Sequence, residues 1–113
     1  MDSQDLNAIA QELLAEASDH HSGRSARTVY GGREHTLRQT MIALVAGQAL
    51  ADHESPGEAT LQVLAGQVRL TAGDDIWQGQ AGGYVVIPQV RHRLDADADS
   101  VVLLSVATGT AAQ

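Results

Sequence analysis

The chain has no cysteine, no phenylalanine, no lysine and only two prolines in 113 residues. Without cysteine there is no disulfide framework, no thiolate metal site and no thiol redox chemistry. Without phenylalanine the aromatic set shrinks to Tyr30, Trp77 and Tyr84, so the core must be aliphatic and few platforms remain for stacking on nucleobases or sugars. Without lysine, basic charge comes from seven arginines set against fourteen acidic residues, a formal charge of −7. That charge repels a nucleic-acid backbone or an anionic membrane. No apolar run approaches the roughly 18 residues of a membrane span, and the acidic start Met1–Asp5 lacks the basic head of a signal peptide. These absences lead us to expect a soluble cytoplasmic protein with no nucleic-acid and no membrane partner.

What is present is ordinary for one globular domain. The composition is 43% hydrophobic and 19% charged, and a chain of this size buries about 65% of its unfolded surface. Residues 3–17 place Leu6, Ile9, Ala10, Leu13, Leu14 and Ala17 on one 3.6-residue stripe, which predicts an amphipathic helix with Ser3 as its cap. The aperiodic stretch Ser18–Arg24 ends it and holds His20 and His21, whose adjacent side chains diverge and make a poor metal site. From Arg27 the period becomes two and the apolar runs become short and punctuated by glycine, the pattern of an all-β sandwich or barrel.

Strands are expected at Arg27–Tyr30, Glu34–Ala46, Ala59–Ala65, Val68–Thr71, Ile76–Gln78, Tyr84–Ile87, Arg91–Leu94 and Val101–Ala107. Val101–Val106 is almost continuously apolar, as a strand covered on both faces would be, by the helix or by a second copy of the chain. The alternate carboxylates Asp95, Asp97 and Asp99, like Asp74 in Gly-Asp-Asp, have only part of a calcium-loop spacing and read as polar turns. The division expected is a helix and loop over 1–24, a barrel over 25–108 and a tail over 109–113.

Two stretches carry a resemblance. Residues 47–66, with Gly47, His53, Ser55, Glu58, Ala59 and Gly66, resemble the first motif of the cupin superfamily. Residues 82–92, with Gly82, Gly83, Pro88 and His92, resemble the second. The resemblance implies a small single-domain antiparallel β-barrel or jelly roll, often a homodimer, holding a metal or a small molecule. The interface would use the Arg27–Tyr30 strand, the helix, or both.

In metal-bearing cupins the first motif supplies two histidines and a glutamate and the second motif a third histidine. Here His53 and His92 match, whereas Ser55 and Ala59 stand at the other two positions and neither is a strong ligand for Zn, Fe, Mn or Ni. A bulge after Pro56-Gly57 would turn Glu58 inward and give a divalent-metal site of His53, His92 and Glu58, completed by water or Gln62. Without metal, the barrel mouth would take a small molecule with His53, Gln62, Trp77, Arg91 and His92, Arg91 pairing either with a ligand carboxylate or with Asp95. The resemblance thus leaves open a small-molecule binding module of sensory or accessory kind and a metal-dependent isomerase, lyase or dioxygenase using His53 and His92.

Overall fold

The structure is a computed structural model that describes residues 1–54 and 57–107, the side chains of residues 52 and 53 excepted. The helix expected near the N-terminus is α1, Leu6–Asp19, followed by nine strands. Its cap is Asp5 rather than Ser3: the Asp5 carboxylate accepts from the backbone N–H groups of Asn7 and Ala8 at 3.0 and 3.2 Å. An aspartate at this position satisfies two orphan donors and adds a negative charge at the positive end of the helix, which a serine two residues earlier cannot match. His20 caps the other end, its ring bonded to Ser22 and stacked on His21.

The strands are β1 (Arg24–Tyr30), β2 (Leu37–Leu44), β3 (Ala49–His53), β4 (Glu58–Ala65), β5 (Gln67–Ala72), β6 (Asp75–Gln80), β7 (Tyr84–Val86), β8 (His92–Ala96) and β9 (Ser100–Ala107). All pairs are antiparallel, forming a five-stranded sheet in the order β1-β2-β9-β4-β7 and a four-stranded sheet in the order β3-β8-β5-β6. This is the expected all-β barrel with an appended helix. Several ends move: β1 starts earlier than Arg27, β2 starts at Leu37, and β3 lies in a stretch with no regular alternation to mark it. The expected tail and the residues Ser55 and Pro56 lie outside the described residues.

Two apolar clusters hold the molecule together. Between the sheets lie Ile42, Leu44, Ala59, Leu61, Val63, Val68, Leu70, Ile87, Leu94, Ala96, Val102 and Val106. On the outer face of the five-stranded sheet, Ile9, Leu13 and Ala17 of the helix pack on Met41, Ala43 and Val101. β9 serves both, Val102 facing inward and Val101 facing the helix, which accounts for its nearly continuous apolar run. Burying a Val or Leu side chain contributes about 1.5–3 kcal/mol, so each cluster is a substantial share of the stability.

One turn sets the junction between the sheets. Gly66, between β4 and β5, has φ +88°, and a side chain there would strike the Asp99 carbonyl and Ser100, whose Cα lies 2.7 Å from the ideal Cβ position. Only glycine tolerates both the left-handed backbone and this approach. The buried Ser100 hydroxyl accepts from Gln67 N–H at 3.0 Å and donates to the Ala98 carbonyl at 2.7 Å, stitching β5 to the start of β9.

Candidate functional site

His92 is the residue around which a site can be built. It opens β8, is 5% exposed, and with Ser100 is one of two buried polar residues among those described. Its Nδ1 lies 2.8 Å from the Val90 carbonyl oxygen. A carbonyl only accepts, so the bond requires the proton on Nδ1. His92 borders both the interior of the barrel and its surface. On the inner side it joins Ile42, Leu50, Leu61, Leu70, Ile87, Leu94 and Leu104 around a cavity of only about 20 Å³, room for a single water at most. The aliphatic side chains fill the space between the sheets there and leave no room for a small molecule inside.

On that side His92 and Arg91 line an open groove of about 590 Å³ with Arg69, Thr71, Gly73, Arg93 and Asp95. Strand parity explains the set: Arg69 and Thr71 on β5 pair across to Asp95 and Arg93 on β8, all on the solvent face of the four-stranded sheet. Each arginine holds a carboxylate. Arg69 Nε donates to Asp97 at 2.9 Å, Arg93 Nε to Asp95 at 3.0 Å and Arg91 Nη1 to Glu54 at 3.3 Å. Arg91 therefore pairs with Glu54, while Asp95, its partner in the sequence reading, is taken by Arg93.

The other candidates are placed as follows. His53 and His92 are direct cross-strand partners in the β3–β8 ladder. Ala59 is buried in the barrel core beside Leu61 and Val63. Glu58 is exposed, and the register runs unbroken from Glu58↔Ala107 to Val63↔Val102, so no bulge turns its carboxylate inward. Strand alternation then keeps residues 58 and 59 on opposite faces. Gln62, exposed and paired with Tyr84, likewise sits on the outside of the five-stranded sheet and does not line the barrel. Trp77 is partly buried and packs on the barrel core, its indole covering Gly79, where a side chain would collide with it. It fills a gap in the wall rather than facing the groove.

Of the five ligand-binding candidates, then, Arg91 and His92 share a groove, the backbone of His53 lies opposite His92, and Gln62 and Trp77 lie elsewhere. Arg69, Thr71 and Arg93 are groove residues that the sequence reading did not single out. Their parity along β5 and β8 was visible, but not that the two strands pair.

The set does not fit the metal centre that the resemblance raised. Among the described residues no group of three histidine, aspartate or glutamate side chains is placed to hold an ion. The carboxylate position is the buried methyl of Ala59, and Glu58 points away.

No family model and no curated protein matches the chain. Solved structures do. A conserved protein of unknown function from Streptococcus pyogenes is 26% identical with a TM-score of 0.72, over 80% of this chain and 79% of that one. An RmlC-like cupin protein from Desulfovibrio desulfuricans is 25% identical with a TM-score of 0.66, over 75% and 82%. A cupin-2 domain-containing protein from Shewanella frigidimarina is 17% identical with a TM-score of 0.70, over 92% and 93%. Among the described residues no helix is long and apolar enough to cross a membrane.

Proposed function

Since this chain is a small domain of cupin-superfamily fold, we propose that it is a binding module for a small organic carboxylate, taken in the groove where Arg91 and His92 meet. The observation that carries the reading is the convergence of three arginines on one groove of an acidic chain, beside the buried His92. Guanidinium groups match a carboxylate with paired N–H donors. Their present partners are carboxylates of the chain itself, Glu54 and Asp97 exposed and Asp95 half-buried; exposed ion pairs contribute about 0.2–1 kcal/mol each, little enough for a ligand anion to displace them.

The test is a thermal-shift and calorimetric titration with mono- and dicarboxylates, inorganic phosphate and neutral sugars. A ligand that binds only the folded state raises the melting temperature as its concentration exceeds Kd. Carboxylates should stabilise the protein, sugars should not, and Arg91→Ala and His92→Ala should each weaken binding about tenfold while leaving the fold intact. Binding of phosphate in preference to every carboxylate would reassign the ligand. Carboxylate binding unaffected by both substitutions would overturn the site.

A metal-dependent enzyme of isomerase, lyase or dioxygenase type would need ligands that Ser55 and Ala59 do not provide. Elemental analysis after loading with Zn, Fe, Mn or Ni decides this: we expect no stoichiometric metal, and metal lost in both His53→Ala and His92→Ala would reverse the reading. A homodimer is part of the proposal, because β1 is an outer strand of the five-stranded sheet and a sheet edge can pair with a second copy. Sedimentation equilibrium tests it directly.

A further inference from the structure

A second concavity lies at the other sheet, away from His92, and its chemistry has the opposite sign. The segment leading into α1, the end of β1 and the connection into β2 enclose a groove of about 710 Å³. Its apolar floor includes Leu6, Val29, Leu37 and Leu103, and Asp2 and Glu34 stand on its rim. No arginine lines it, and Arg33, the neighbour of Glu34, is not among its lining residues. Glu12, Glu16, Glu54, Asp95 and Asp97 are each engaged by an arginine, whereas among the described residues Asp2 and Glu34, like Asp19, Glu58, Asp74 and Asp75, form no ion pair; Asp2 and Glu34 are the two of these that line a groove with an apolar floor. Tyr30 forms one wall, about half exposed, its ring 5.0 Å from that of His35 and tilted by 60°. The entry is held in shape by Gln4, whose side-chain amide donates to the Val29 carbonyl at 2.6 Å.

An apolar floor, an aromatic face and two carboxylates without counter-ions are together complementary to one kind of molecule. We infer that this groove is a binding site for a small organic cation, an ammonium group on an aryl or alkyl body. The body covers Leu37 and Leu103, and the ammonium lies against the Tyr30 ring between the carboxylates, where charge and ring quadrupole both attract it. The site is independent of the carboxylate groove.

The experiment follows backbone amide resonances of the full chain during titration with 2-phenylethylammonium, with phenylacetate and 2-phenylethanol as the anionic and neutral probes of the same shape. The cation should shift the amides of Tyr30, Leu37 and Leu103, and phenylacetate should leave them unmoved. Glu34→Gln and Tyr30→Ala should each weaken the cation about three- to fivefold, the effect of one exposed charge or cation–π contact. Both positions are on the surface, and unchanged amide positions in the barrel core confirm that the variants fold. Arg91→Ala should have no effect. Equal shifts from cation and anion, no shift at millimolar cation, or full affinity in both variants would each overturn the inference.

Discussion

The two sheets are built from similar strands and have opposite outer faces. The five-stranded sheet is covered by α1 over β1, β2 and β9, so Met41, Ala43 and Val101 on its outside are as dry as the residues between the sheets, while Gln62 and Tyr84 of β4 and β7 stay exposed. The four-stranded sheet is bare, and its outside is Arg69, Thr71, Arg93 and Asp95. The burial of β5 and β8 alternates strictly, while that of β9 does not. The difference shows that one appended helix fixes where this molecule can offer polar chemistry. On the covered sheet the concavity is pushed to the rim, beside the helix start; on the bare sheet it runs across the strands.

The largest expected effect comes from uncovering the covered sheet. Leu13 is completely buried between helix and sheet, and Leu13→Ala should cost about 2–5 kcal/mol in urea unfolding. Thr71→Ala on the bare sheet should change stability by no more than about 0.5 kcal/mol. Similar costs at the two positions would remove the contrast. A smaller step is to loosen the helix without touching its packing. Asp5→Ala removes the cap bonds to Asn7 and Ala8 and should cost about 1 kcal/mol, with faster amide exchange in the first turn of α1 and none of that change in β8.

The smallest effect compares two arginines. Arg27 ties β1 to the helix through Glu12 and Glu16 at 3.0 and 3.5 Å, and Arg27→Ala should cost about 0.2–1 kcal/mol, less at high salt. Arg69→Ala on the bare sheet should alter stability as little but reduce carboxylate binding. A loss of carboxylate binding in the Arg27 variant as well would mean that the two faces are not separate.

Much of this architecture could be read from local pattern. The stripe from Leu6 to Ala17 marked the helix, period-two alternation marked most strands, and the apolar run at Val101–Val106 announced a strand covered on both faces. The same alternation also placed Gln62 opposite Leu61 and Val63, and Glu58 opposite Ala59; the resemblance that drew them toward a metal site ran against it. What local pattern could not supply is pairing at a distance. That β5 lies beside β8, bringing Arg69 to Asp97 and Thr71 across from Arg93, depends on a register set by the whole barrel. Arg91 shows the same limit, since its carboxylate comes from Glu54, 37 residues away, rather than from the nearby Asp95. The cap at Asp5 was missed for a narrower reason: Asp2, Ser3, Gln4 and Asp5 all carry acceptors ahead of the stripe, and only the backbone path decides among them.

Trp77 is the sole tryptophan of the chain, set on the inner wall of the four-stranded sheet opposite Leu70 and pressed over Gly79. Excited at about 295 nm, where the two tyrosines do not absorb, the molecule thus has one fluorophore, in the barrel rather than on the helix. Its emission follows the barrel core, while circular dichroism at about 222 nm is weighted toward α1. Denaturation curves recorded by the two signals, when superimposed, report whether helix and barrel melt as one cooperative body or in sequence, with no label added.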